Sequence, residues 1–199
     1  LPQGKDTQTP AKKMTVQQVM DEIEKDFLFF DESGGGVTFS GGEPMLQVEF
    51  LEQVLEKCRN RGIHTAVDTS GQVDWDNIER IAPSADLWLY DLKLIDSNKH
   101  LEFTGVENQL ILENLKRILA EGWKLRLRVP LIPGYTDTSE NLNAIAGLVN
   151  SLPYQPPVDL LPFNLFYSSK YDRLKIENKL GKLSTQTPEE LVVCRAIFE

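Results

Sequence analysis

Glu43 directly follows a glycine pair in the run Gly34-Gly35-Gly36-Val37-Thr38-Phe39-Ser40-Gly41-Gly42-Glu43-Pro44. A turn without side-chain bulk lets a ligand approach main-chain N–H and C=O groups, and the carboxylate adds one fixed acceptor for an amine or hydroxyl. Taken alone, an ordinary glycine turn between a strand and a helix explains the pair equally well. Further along, Asp68 opens Asp68-Thr69-Ser70-Gly71, Asp91-Leu92-Lys93 sets an acid and a base two residues apart, and Arg128 interrupts an alternating apolar run. Three carboxylates against two cations make a set of mixed sign. It suits a zwitterion whose ammonium meets the acids and whose carboxylate meets the cations. Read singly, Asp91 and Lys93 form a structural ion pair, as Arg128 does with an acid, and Asp68 begins an Asx turn.

Whether these residues meet depends on the elements between them. Residues 1–14, with Pro2, Gly4 and Pro10, read as a linker, and residues 15–199 as one domain. Thr15 and Gln18 form a capping box for one amphipathic helix through Val16, Val19, Met20, Ile23, Phe27 and Phe30, ending before Ser33. A buried strand then runs into the Gly41-Gly42 turn. Phe50, Leu51, Val54, Leu55 and Cys58 give a second helix, stopped by Gly62 and followed by a strand at 64–68. Asp74 caps a short helix that Pro83 ends, and 87–93 is the next strand. Ile111, Leu115 and Ile118 mark a helix closed by Gly122, 125–131 a strand, Leu142, Ile145 and Val149 a helix, and 158–161 a strand leaving through Pro162-Phe163-Asn164. Thr187-Pro188-Glu189-Glu190 starts a last helix that runs to the chain end.

A helix followed by five strand–helix units implies parallel strands with right-handed crossovers, as a doubly wound open sheet or a barrel-like curl. In both, ligands bind at the C-terminal strand ends. Ser40-Gly41-Gly42-Glu43, Asp68-Thr69, Asp91-Leu92-Lys93, Arg128 and Asn164 all lie at or near such ends. Five polar exits on one rim favour a site over unrelated turns.

Composition bounds the rest. A chain of 199 residues with 41% apolar and 26% charged residues is a globular domain able to bury a core. Its net charge of −9 argues against nucleic-acid or acidic-membrane binding. No apolar run is long enough for a membrane span and no signal-peptide pattern opens the chain, so a cytoplasmic location is expected. Cys58 and Cys194 read as buried core thiols, and His64 and His100 as packing or surface residues. Tyr135, Phe163, Phe166, Tyr167 and Tyr171 would line a peptide groove or cover a barrel end.

On these motifs the chain resembles the radical S-adenosylmethionine superfamily, and within it the activating enzymes of glycyl radical enzymes, of the pyruvate formate-lyase type. Ser40-Gly41-Gly42-Glu43-Pro44 matches the superfamily's Gly-Gly-Glu motif, and the wider run with Gln47 and Phe50 is particular to the activating enzymes. Asp68-Thr69-Ser70-Gly71, Asp91-Leu92-Lys93, Arg128 before Pro133-Gly134, and 160–164 continuing to Lys170-Tyr171 are similar to further family segments, so that the match runs from residue 15 onward. The resemblance implies that Ser40, Gly41, Gly42, Glu43, Asp68, Asp91, Leu92, Lys93, Arg128 and Asn164 bind S-adenosylmethionine. It offers Asp68, Thr69 and Asp91 as ligands of a monovalent cation. It implies a 5′-deoxyadenosyl radical that takes hydrogen from a glycine of a partner glycyl radical enzyme, with a flavodoxin- or ferredoxin-like electron donor.

Two departures shape the expectation. Asn164 stands where the family has a histidine, and it cannot titrate near neutral pH. The family's Cys-x3-Cys-x2-Cys loop, which holds a [4Fe–4S] cluster, is absent. The fold expected is therefore α/β, a partial parallel (β/α)6 TIM-like barrel lacking the first strand and the cluster loop. The chain is expected to be an internal piece of a longer enzyme, inactive alone and with no catalytic residue of its own. A degenerate, cluster-less barrel serving as a cofactor- or protein-binding module is the alternative. An unrelated barrel enzyme for a small anionic substrate would explain Lys93 and Arg128 only.

Overall fold

The computed structural model describes residues 12–164 and 183–199. Residues 1–11, and with them most of the expected linker, lie outside the described residues, as do Phe166, Tyr167, Lys170 and Tyr171. The strands are β1 (Gly36–Phe39), β2 (His64–Thr69), β3 (Leu87–Asp91), β4 (Leu125–Leu131) and β5 (Val158–Pro162). They hydrogen-bond in the order β1-β2-β3-β4-β5, and every neighbouring pair is parallel. A doubly wound sheet reverses its strand order at a switch point, whereas a barrel wall adds strands in sequence. The unreversed order is that of a barrel wall.

The helices are α1 (Val16–Ile23), α2 (Phe27–Ser33), α3 (Val48–Asn60), α4 (Trp75–Ile81), α5 (Ser97–Thr104), α6 (Gln109–Ala120), α7 (Ser139–Ser151) and α8 (Pro188–Ala196). One sheet face carries Val67, Trp88, Tyr90, Leu125, Leu127 and Val129 into a core completed by Leu55, Ile78, Ile118 and Ile145 of the helices. Strand side chains alternate between faces. The residues between, Asp68, Asp91, Arg126 and Arg128, therefore share the opposite face, where Asp91 registers with Arg128. At the other end of the sheet Trp75, Trp123 and Trp88 stack at 5.7 and 6.1 Å, with the Arg117 guanidinium 3.8 Å over Trp75.

Both expected capping boxes form, Thr15 with Gln18 and Thr187 with Glu190. Several expectations need correction. The first helix is two helices divided by a 3-10 turn at Glu24–Asp26. Met20 and Ile23 fill a small cluster with Val54, Cys58 and Ile63; Phe30 of α2 reaches it, while Phe27, Leu28 and Phe29 stay exposed. The apolar stripe outruns the surface available to cover it. Among the described residues the strand expected to be buried, β1, lies at the sheet edge and pairs with β2 alone, and its residues alternate between exposed and half-buried. Strand β3 ends at Asp91, two residues early, although the Leu92 amide still donates to the Arg128 carbonyl at 2.9 Å. Asp74 occupies the N-cap of α4 without a side-chain hydrogen bond, and α8 stops at Ala196. Helix α5 is unanticipated. Asp96 caps it by accepting from the Lys99 amide at 2.8 Å and Gly105 ends it at φ 84°, but its polar first turn hides the period.

Candidate cofactor site

The exit of β1 is bound to the exit of β2. Ser40 Oγ donates to Asp68 Oδ2 at 2.8 Å. Gly41 and Gly42 take φ of 99° and 61°, in which other residues are strained, and nothing lies within 4 Å of where either Cβ would stand. The backbone there is an open cradle. Glu43 receives the Thr69 hydroxyl at 2.9 Å, the Ser70 amide at 3.0 Å and the Ser70 hydroxyl at 2.9 Å. Its carboxylate thus fastens two strand ends while standing at the rim.

Arg128 reaches from β4 between two acids, with Nη1 3.0 Å from Asp68 Oδ2 and Nε 3.3 Å from Asp91 Oδ1. The second contact is an ion pair by distance only. Both atoms are buried and neither makes a hydrogen bond, because the N–H is misaligned. Asp91 Oδ2 meets Lys93 Nζ at 3.4 Å. Ser40, Asp68, Arg128, Asp91 and Lys93 form one polar chain across four strand ends. Burial pushes the Asp91 carboxyl above its ordinary range, Lys93 and Arg128 oppose the shift, and Asp68 adds to it.

Lys93 has left the sheet and is held from behind. Asn141 Nδ2 donates at 2.8 Å to the carbonyls of both Lys93 and Thr136, and its Oδ1 accepts from the Ile95 amide at 3.1 Å. Asn108 donates to the Leu94 and Ile95 carbonyls at 2.9 and 2.8 Å. Gln186 ties the last segment to the same rim by donating to the Leu131 carbonyl and to Asp137 Oδ2, both at 2.9 Å. Sequence reading missed these three. The only available signal was an amide beside apolar helical positions, which is weak.

Most expected residues converge, with qualifications. The Leu92 side chain is in the core, so only its main chain faces outward. Asn164 lies exposed two residues past β5. Thr69 is buried with its hydroxyl turned to Glu43, Asp68 Oδ2 is paired with Arg128, and Asp91 stands against the same guanidinium, so a cation there would compete with Arg128. Among the described residues no three of His, Cys, Asp and Glu group for a metal. His64 is exposed and His100 buried, neither within the polar chain. Cys58 is 3.9 Å from Met20 Sδ with its pKa pushed up to about 11 by burial, and Cys194 is in the main core. Neither thiol suits a cluster.

One strand also offers an internal contrast. Arg126 forms a two-pronged pair with Asp159 at 2.7 and 2.6 Å, whose hydrogen bonding holds the Asp159 carboxyl below its usual range. The pair is substantially exposed. Arg126→Ala is therefore expected to cost less than about 1 kcal/mol in urea denaturation, as exposed pairs do.

The open glycine cradle, with Arg128 Nε and Asp91 Oδ1 retaining unused hydrogen-bonding capacity, fits the zwitterionic end of S-adenosylmethionine. Beside it, Glu43, Ser70, Asp91 and Lys93 share with His100 the lining of a cavity of about 300 Å³. A sequential parallel sheet has the architecture of a barrel wall, a fold whose ligands bind at the C-terminal strand ends where the mixed-charge rim lies. The sequence model of the Radical SAM superfamily matches residues 3–144, and the chain belongs to that superfamily. Curated relatives that it matches include activating enzymes. A trans-4-hydroxy-L-proline dehydratase activating enzyme of Clostridioides difficile is 41% identical over 192 residues, covering 95% of this chain and 63% of that protein. A pyruvate formate-lyase-activating enzyme of Clostridium pasteurianum is 35% identical over 180 residues, covering 90% and 75%. The crystal structure of a domain of pyruvate-formate lyase-activating enzyme from Bacteroides vulgatus superposes with a TM-score of 0.69 at 34% identity, over 82% of this chain and 92% of that one. The chain spans 54–63% of the length of four of the curated relatives that it matches. No helix among the described residues is long and apolar enough to cross a membrane.

Proposed function

We propose that these residues are the cofactor wall of an activating enzyme for a glycyl radical enzyme. When bound, S-adenosylmethionine would supply, by one-electron reductive cleavage of its S–C5′ bond with release of methionine, a 5′-deoxyadenosyl radical able to take a hydrogen atom from a glycine of the partner protein. The residues of this chain hold and orient it. The Gly41-Gly42 backbone and Glu43 receive the amino group, and Lys93 meets the carboxylate with Asp91 and Arg128 behind it. Asp68 keeps Arg128 in place, and Asn164 would meet the adenosine part. The observation that carries this reading is the unbroken polar chain from Ser40 to Lys93 on the C-terminal rim.

The [4Fe–4S] cluster that the family implies is assigned to the whole protein, since Cys58 and Cys194 do not suit it. The same holds for a flavodoxin- or ferredoxin-like electron donor and for a cytoplasmic location. A monovalent cation at Asp68, Thr69 and Asp91 would have to displace Arg128 and turn the Thr69 hydroxyl, so Arg128 is the better-supported counter-charge. The partner is of the kind that the relatives' names give: trans-4-hydroxy-L-proline dehydratase or pyruvate formate-lyase.

The test is equilibrium binding of S-adenosylmethionine to the full-length protein. Glu43→Ala and Lys93→Ala should each raise Kd by roughly tenfold, the loss of about one charge-assisted hydrogen bond. Unchanged affinity in both variants would overturn the assignment.

A further inference from the structure

A side chain enters the β4–β5 ladder at its C-terminal end. The Leu127 amide donates to the Pro157 carbonyl at 2.8 Å, and alternate residues of β4 repeat that orientation, so the Leu131 carbonyl faces β5. Leu131 registers with Pro162, which makes the Phe163 amide the next donor to that carbonyl in a parallel ladder. The corresponding bond does form between β3 and β4, where the Leu92 amide donates to the Arg128 carbonyl at 2.9 Å. Between β4 and β5 it is replaced. The Phe163 amide donates to Gln186 Oε1 at 3.0 Å, and Gln186 Nε2 donates to the Leu131 carbonyl at 2.9 Å. A side-chain amide with a hydrogen bond on either side thus stands where a single main-chain bond would close the ladder.

The direction in which that amide points is fixed. Gln186 Nε2 also donates to Asp137 Oδ2 at 2.9 Å, and a carbonyl and an ionised carboxylate can only accept. Asp137 Oδ1 in turn accepts from the Gly134 amide at 2.8 Å, so Gln186 holds the loop after β4 together with both strand exits. Tethering the last segment would need only one of these bonds. A side chain that enters the ladder also sets how far apart the two exits stand. Arg128 precedes Leu131 on β4, and Asn164 directly follows Phe163, so the opening lies between the groups assigned to the two ends of the cofactor. We propose that Gln186 is a positioning residue whose amide holds the β5 exit away from β4, setting the span from Arg128 to Asn164 that S-adenosylmethionine bridges. This role rests on the reading of the rim as the S-adenosylmethionine site.

The test is Gln186→Ala in the full-length protein. Its crystal structure should show the Phe163 amide donating directly to the Leu131 carbonyl. Two fragments of the cofactor then separate positioning from general stability, because 5′-methylthioadenosine carries the adenosine end and L-methionine the amino-acid end. In anaerobic titrations the variant should lose about fivefold in affinity for 5′-methylthioadenosine, typical of one misplaced hydrogen bond, and nothing for L-methionine. A merely structural role would weaken both fragments or neither. Either result overturns the proposal, as does a β4–β5 exit that stays open in the variant. A wild-type protein that binds neither fragment nor S-adenosylmethionine overturns the cofactor assignment itself, so the two failures are distinguishable.

Discussion

Arg128→Met is expected to lower folding stability by about 2–3 kcal/mol in urea denaturation and to weaken S-adenosylmethionine binding at the same time. Removing one partner from a buried ion pair leaves an uncompensated charge and typically costs about 3–5 kcal/mol. Here the side chains retain 17–23% exposure, and solvent screening reduces the figure. Two acids are left facing each other, because Asp68 and Asp91 share this one guanidinium. The pH dependence fixes the cause. The Asp91 carboxyl already binds its proton more tightly in the folded state than in the unfolded chain, and burial is the main reason. Without Arg128 its pKa rises further. Between the unfolded and the raised folded pKa the folded state holds more protons, so the variant loses stability as pH rises through that interval. The deficit against wild type should therefore be full at neutral pH and shrink on acidification. A deficit independent of pH would mean that lost packing, not charge, is responsible.

Gly71→Ala is expected to have the larger effect on folding, about 3–5 kcal/mol, combining overpacking, a displaced buried hydrogen bond and left-handed backbone strain. Gly71 ends the Asp68-Thr69-Ser70-Gly71 turn at φ 74°, and a methyl there would overlap the hydroxyl and ring of Tyr90. Tyr90 has nowhere to retreat: it is fully buried and its hydroxyl donates to the Ile111 carbonyl at 2.6 Å. That burial, with Glu43 adding to it, pushes the phenol pKa well above its ordinary value. The Gly71 carbonyl also receives Asn114 Nδ2 at 2.9 Å, so displacement of the turn reaches α6. Because Ser70 holds Glu43, the same substitution should loosen the cofactor rim. A thermal midpoint within a degree or two of wild type would refute this account of the turn.

The rim is legible in the sequence because strand exits announce themselves. Glycine, aspartate and lysine break an apolar run at each of β1, β2 and β3, and parallel topology follows from the alternation of helices and strands. Strand order is not legible from that alternation, since doubly wound and barrel sheets share it, and the unreversed pairing decides between them. What fails is burial that depends on neighbours. Val37 and Phe39 have the composition of a buried strand yet lie at a sheet edge, and Phe27 to Phe29 continue an apolar stripe past the cluster that would cover it. Side-chain partnerships across strands are equally hidden. Asp91 and Lys93 invite a pair, and they form one, but nothing in the sequence says that Arg128 also bridges Asp91 to Asp68, or that Glu43 serves Thr69 and Ser70. Asn141 and Asn108 order Lys93 from outside the motif, through main-chain contacts that leave little trace in residue type.

The most direct measurement is the iron and acid-labile sulfide content of the natural polypeptide, isolated without oxygen from its source cells and recognised by a peptide of this sequence. The account predicts about four irons per chain, or a multiple of that, with matching sulfide, as thiolate-held cubane clusters contain. A natural polypeptide free of iron and sulfide would contradict it and leave these residues as a binding module that no longer performs radical chemistry.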